Sequence, residues 1–119
     1  MAVTVMIVDD HASFRSLARR ILESEGFDVV GEAADAEEAD AVARRLRPEL
    51  VLVDIELPGE NGLSLATRLA ARPGRPAVVL TSSRDVSDYG RRVAECGARG
   101  FIPKAELTGE AIHELLRRV

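Results

Sequence analysis

Four short, near-continuous apolar runs in this chain each stop on residues able to do chemistry. Residues 3–8 (VTVMIV) end at Asp9 and Asp10, 50–53 (LVLV) at Asp54, 77–80 (AVVL) at Thr81, and Phe101-Ile102-Pro103 at Lys104. Runs of this length and character fit strands buried on both faces, as in a parallel sheet. Amphipathic stretches at helical spacing separate them. Strict strand–helix alternation leaves few architectures, because parallel neighbours need long crossovers and those crossovers are right-handed.

The first helix reads from Phe14, Leu17, Ala18, Ile21 and Leu22, with Arg15, Arg19, Arg20 and Glu23 largely opposite and Gly26 as the stop. A second opens at Asp35 with Glu38 three residues on, a capping-box pair. It turns Ala39, Val42, Ala43 and Leu46 inward and ends before Pro48. A third covers 62–72, with Leu65, Ala66, Leu69 and Ala70 on one face and Pro73-Gly74 as the break. The last is capped by Thr108, stapled by Leu107 against Ile112, and continues its stripe through Leu115, Leu116 and Val119. The fourth, expected over 84–95, is weak. Its stripe is only Val86, Tyr89 and Val93, and Gly90 in its interior costs about 1 kcal/mol relative to alanine.

Strands are expected over 3–8, 27–33, 50–53, 77–81 and 98–102, each followed by a helix. The segment 27–32 carries the most polar residues and belongs at an edge, whereas the runs ending in Asp9 and Asp54 belong at the centre. A doubly wound α/β fold with strand order 2-1-3-4-5 and helices on both faces satisfies this. It also makes strands 1 and 3 neighbours at the topological switch point, where open α/β sheets bind ligands. Without a linker, repeat or low-complexity tract, residues 1–119 read as one domain.

Bulk properties exclude several functions. A net charge of −4 argues against gripping a nucleic-acid backbone with this segment, and 3% aromatics give no base-stacking platform. Cys96 is the single cysteine, so no internal disulfide forms and a reducing cytosol suits the chain. No run approaches the ~18 apolar residues of a membrane span, so a soluble cytoplasmic protein is expected, with no membrane partner.

If the strand ends share one edge, three carboxylates, a hydroxyl and an ammonium meet in one pocket. Two carboxylates about 4 Å apart repel by roughly 4 kcal/mol at an effective dielectric near 20. A cluster of three must shift its pKa values or recruit a cation. Mg²⁺ favours an oxygen donor set that keeps several waters. His11 and His113 are far apart and have no cysteine or histidine at metal-ligand spacing, which disfavours a zinc site. Lys104 is one lysine among 16 basic residues, and a compact ammonium fits a crowded pocket better than a planar guanidinium. A cation beside a free carboxylate, with a hydroxyl and an ammonium nearby, suits phosphoryl transfer onto that carboxylate.

At these residues the chain resembles the receiver domain of bacterial two-component response regulators, over essentially its whole length. The resemblance implies that Asp54 is the phosphoacceptor, supplied by a phosphohistidine on a sensor histidine kinase. It implies that Asp9 and Asp10 hold Mg²⁺ together with Asp54 and the backbone carbonyl of Glu56. Thr81 then corresponds to the switch hydroxyl, Lys104 to the site lysine and Phe101 to the switch aromatic. The loop Leu57-Pro58-Gly59-Glu60-Asn61-Gly62 matches the one after the acceptor, with Pro58 and Gly62 shaping the turn. Phe101 stands where tyrosine is frequent, Pro103 precedes the lysine where a proline often follows it, and Glu56 adds a further carboxylate. The segment 97–104 looks most like receivers of NarL/LuxR-type transcription regulators. That likeness implies a regulatory domain rather than an enzyme and allows a phosphorylation-dependent homodimer; the chain is then either a stand-alone receiver or the amino-terminal part of a regulator with a helix-turn-helix output domain.

Two other readings share the fold. A phosphate-independent interaction module would be favoured by missing site residues, and none is missing. A small α/β enzyme would need other signatures. The first turn Asp9-Asp10-His11-Ala12 is acidic and offers no flavin phosphate cradle, and Walker and dinucleotide glycine motifs are absent. Asp54-Ile55-Glu56 lacks the second aspartate of a metal-dependent phosphatase.

Overall fold

The computed structural model describes residues 2–117, and the expectation for Val119 lies outside them, as does the side chain of Val86. Five parallel strands, β1 (Thr4–Val8), β2 (Asp28–Ala33), β3 (Leu50–Asp54), β4 (Ala77–Ser82) and β5 (Gly100–Pro103), stand in the order β2-β1-β3-β4-β5. The helices are α1 (Ala12–Ser24), α2 (Ala36–Leu46), α3 (Gly62–Ala70), α4 (Arg92–Glu95) and α5 (Gly109–Arg117). The expected order and the edge position of β2 are what the structure has. Among the described residues, no helix is long and apolar enough to cross a membrane.

Strand periodicity divides the core in two. Met6, Val8, Val51, Val53, Val78 and Leu80 pack with Ala39 and Val42 of α2 and Leu65 and Leu69 of α3. Val5, Ile7, Leu50, Leu52, Val79 and Ile102 pack on the other face with Ala18 and Leu22 of α1 and Ile112 and Leu115 of α5. Central strands covered on both faces have no reason to alternate apolar with polar residues, which is why they read as unbroken runs.

Caps define the helix ends. Asp35 accepts the Glu38 N–H at 2.8 Å while Glu38 Oε1 accepts the Ala34 N–H at 2.8 Å, a reciprocal box displaced by one residue on the Glu side. Asn61 caps α3 through the Ser64 N–H, and Thr108 caps α5 through the Ala111 N–H.

Three expectations are corrected. The helix expected over 84–95 is a 3₁₀ turn at Val86–Asp88 and a single α turn at Arg92–Glu95. Gly90, at φ +57°, adopts the left-handed conformation and breaks the run between them. Leu17 and Leu46 are exposed rather than inward. Leu17 lies at the rim of a stripe centred on Ala18 and Leu22, and Leu46 ends α2 over the edge strand, beside Gly31. The fifth strand begins at Gly100, not 98, and runs through Pro103; an edge strand tolerates a residue without an N–H.

Candidate functional site

The pleat that sorts the core also assembles the site. Asp9 continues the phase of Val5 and Ile7, Asp54 that of Leu50 and Leu52, and Thr81 that of Val79. All three therefore emerge on the α1/α5 side at the carboxyl edge. Lys104 follows β5 at the start of a 3₁₀ turn, Lys104–Glu106, and reaches back to the same point. Asp54 and Thr81 are direct partners in the β3–β4 register.

Asp9, Asp54 and Thr81 are fully buried, and Lys104 is largely so. The Lys104 ammonium lies 2.7 Å from Asp9 Oδ2 and 3.2 Å from Asp54 Oδ2. Its third neighbour is the Phe14 ring of α1, with Nζ 4.6 Å from the centroid. Asp54 Oδ1 accepts the Glu56 N–H at 3.0 Å, and the Thr81 hydroxyl is 3.5 Å from the Val53 carbonyl. Burial first, and then the Asp9 charge, raise the Asp54 pKa from 3.8 to about 6, against the pull of the Glu56 N–H and Lys104. Burial acts to lower the Lys104 pKa, but Asp9 and Asp54 outweigh it, so the ammonium is held charged above its ordinary range.

Asp10 turns outward from the buried trio. His11 lies beside it: Nδ1 is 3.2 Å from Asp9 Oδ1 and 3.2 Å from Asp10 Oδ1, while the His11 N–H donates to Asp9 Oδ1 at 2.8 Å. One donor atom each from Asp9, Asp10, His11 and Asp54 falls within 4.8 Å of the others. Asp9 Oδ2 faces Lys104 with no aligned hydrogen bond. A set of clustered carboxylate oxygens fits a hard divalent cation such as Mg²⁺.

The loop after Asp54 is held close. The Gly62 N–H donates to the Ile55 carbonyl at 2.8 Å, and a Cβ at Gly62 would lie 2.7 Å from Ile55 Cα and collide with the Asp54 carbonyl. Gly59 makes the turn at φ +75°. Arg68 then ties Glu60 in this loop to Asp40 of α2.

The opposite pleat phase carries the residues that do not enter the acidic pocket. Ser82 donates to Glu56 Oε2 at 2.5 Å and lies 3.4 Å from the Tyr89 hydroxyl. The Glu56 carboxylate is thus drawn toward Ser82. Phe101, half-buried, packs with Tyr89 and Val93 against the α3-side cluster. Sequence reading missed His11 as a neighbour of both aspartates, Phe14 beneath Lys104, the Arg15 guanidinium on the Asp9 carbonyl at 2.6 Å, and the Ser82–Tyr89 pair. Adjacency of His11 to Asp9-Asp10 was the one sequence signal available for any of them.

A family model described as the response regulator receiver domain matches residues 5–117. The transcriptional regulatory protein PdtaR of Mycobacterium tuberculosis is 35% identical over 102 residues, covering 84% of this chain and 48% of that protein. The chain spans about half the length of the curated relatives it matches. A LuxR-family two-component response regulator from Aurantimonas sp. SI85-9A1 superposes with a TM-score of 0.86 at 31% identity, over 99% of this chain and 88% of that one. The signal receiver domain of the M. tuberculosis response regulator designated NarL gives 0.84 at 29% identity, over 98% of each chain. With its fold and the model match over nearly its full length, the chain belongs to the response regulator receiver domain family.

Proposed function

We propose that this chain is a phosphorylation-activated switch of two-component signalling, with Asp54 as the phosphoacceptor. The observation that carries the reading is the convergence of Asp54, Asp9, Thr81 and Lys104 at one end of one sheet face. The Asp54 carboxylate attacks the phosphorus of a phosphohistidine on a sensor histidine kinase. The P–N bond breaks, a P–O bond to Asp54 forms, and the histidine leaves with the bond's electron pair. Lys104 offsets charge on the carboxylate before transfer and on the phosphoryl group after it, and the Thr81 hydroxyl donates to a phosphoryl oxygen. Asp9, Asp10, Asp54 and the Glu56 backbone carbonyl would hold Mg²⁺, which would supply charge neutralisation at the transferring group when bound.

The signal leaves through α4, β5 and α5. Phosphorylation adds about −1.5 to −2 charges beside Thr81, drawing the hydroxyl inward and shifting the balance at β5, where Phe101 is half-buried. A cleft of about 240 Å³ lined by Phe101, Pro103, Glu106, Ala111, Glu114 and Leu115 lies on this face. The output is transcriptional control in the cytoplasm, with a phosphorylation-dependent homodimer as the active form and a helix-turn-helix output domain, where one is attached, as the reader of the signal. The name of the relative PdtaR, a transcriptional regulatory protein, supports that direction.

Incubation with acetyl phosphate and Mg²⁺ followed by intact-mass measurement tests the acceptor. One phosphoryl adduct is expected, lost with EDTA and absent in Asp54→Asn; an adduct that persists in the variant overturns the assignment. Hydrogen exchange with and without beryllofluoride tests the relay. Protection is expected to change most over 81–103 and little in α1, and an even spread would refute this route.

A further inference from the structure

We propose that Arg15 is a positioning residue for the acidic pocket: its guanidinium, held by Glu32 of β2, grips the Asp9 carbonyl and so fixes the peptide that carries Asp10. The inference rests on reading Asp9 and Asp10 as the Mg²⁺-holding pair and extends it to a side chain outside the pocket. Arg15 Nη1 donates to the Asp9 carbonyl at 2.6 Å, and Nε donates to Glu32 Oε1 at 3.0 Å. The side chain is 19% exposed, so it is enclosed between the first turn of α1 and the end of β2. Hydrogen bonds from an ionised donor are short and strong, and a planar fork with both arms engaged is fixed in orientation. Glu32 also offsets the guanidinium charge, which would otherwise disfavour a cation nearby.

What the Arg15 bond controls is the plane of one peptide. The Asp9 N–H donates to the Ala33 carbonyl at 3.0 Å, and Asp9 Oδ1 accepts the His11 N–H at 2.8 Å, so the chain is tied on either side of the Asp9–Asp10 link. A peptide unit is planar, so turning its carbonyl swings the following N–H and the Asp10 Cα with it. Asp10 is exposed, so core packing does not aim its carboxylate and the backbone must. Arg19, one helical turn on, repeats the arrangement elsewhere. Its Nε donates to Glu32 Oε2 at 2.9 Å and its Nη1 to the Val29 carbonyl at 3.3 Å, near the start of β2. Two guanidiniums thus share one carboxylate and differ in the carbonyl they hold, which makes Arg19 an internal control.

Calorimetric titration of Mg²⁺ into the wild-type chain, Arg15→Met, Arg15→Lys and Arg19→Met tests this, with urea unfolding in EDTA as the measure of folding. Arg15→Met should weaken Mg²⁺ about tenfold or more, the loss usual for outer partners of metal ligands. Arg15→Lys keeps the charge but not the fork and should fall between Arg15→Met and the wild type. Arg19→Met should stay within about twofold of the wild type, although it too removes a guanidinium from Glu32. Phosphoryl uptake from acetyl phosphate should show the same split: Arg15→Met needs more Mg²⁺ to reach half its full rate, and its rate at saturation stays near that of the wild type. A guanidinium acting only through its charge would give the opposite sign, because removing it favours a cation. Mg²⁺ affinity at or above the wild-type value in both Arg15 variants overturns the proposal, as does an equal loss in Arg19→Met. A wild type that does not bind Mg²⁺ overturns the reading of the acidic pair and the positioning role with it, whereas failure of the positioning role alone leaves wild-type binding intact.

Discussion

At the scale of single residues, Asp54 couples protonation to folding. Its pKa rises from 3.8 to about 6 in the fold, so between these values the native state holds a proton that the unfolded chain has lost. Stability of the metal-free protein therefore falls as pH rises through that window, and the penalty is complete above about pH 6. Asp54→Asn is expected to flatten the slope and to stabilise the metal-free protein at pH 7 by roughly 1–2 kcal/mol. Urea unfolding in EDTA at a series of pH values between 4 and 7 checks this; a variant no more stable than wild type at pH 7 would contradict the buried-charge argument. Asp9, Asp54, Thr81 and Lys104 were legible in the sequence because each closes an apolar run, and a strand carries its pleat phase into the residue that ends it. His11, Phe14 and Arg15 were not legible as site neighbours. They reach the pocket because a helix start folds over a strand end, and no periodicity within one element encodes that meeting.

At the scale of elements, backbone geometry decides more than helical periodicity does. Val86, Tyr89 and Val93 have helical spacing, yet the left-handed Gly90 leaves two short turns there. Capped helices behaved as read, since Asp35 and Thr108 announce their hydrogen bonds from sequence. The tight loop between β3 and α3 was only partly legible. Its composition marks a turn, but the close approach of Gly62 to Asp54 and Ile55 belongs to the tertiary structure. Gly62→Ala is expected to destabilise the fold by about 2–3 kcal/mol, because the added methyl meets backbone that cannot rotate away. Thermal and urea unfolding measure this. A near-neutral result would mean that the loop can shift without disturbing the acidic end of β3.

At the scale of the whole molecule, a ligand that binds only the folded pocket raises global stability by mass action. At about 100 times its dissociation constant, Mg²⁺ is expected to add roughly 2.7 kcal/mol. Asp10→Asn should lose most of that increment, measured as the Mg²⁺-dependent shift of the unfolding midpoint; equal shifts in both proteins would place the ion elsewhere. The sheet also separates two environments at its carboxyl edge. Thr81 belongs to the acidic side, while Ser82 bonds Glu56 and lies near Tyr89 on the other. Consecutive Cα atoms across a trans peptide stay about 3.8 Å apart, whatever the side chains do. A pull that drags the Thr81 backbone must therefore be felt at Ser82 within one peptide unit. Under the proposed switch, the end of β4 would act as a rocker: a pull on Thr81 in the acidic pocket would be felt at Ser82 on the opposite face without a separate wire.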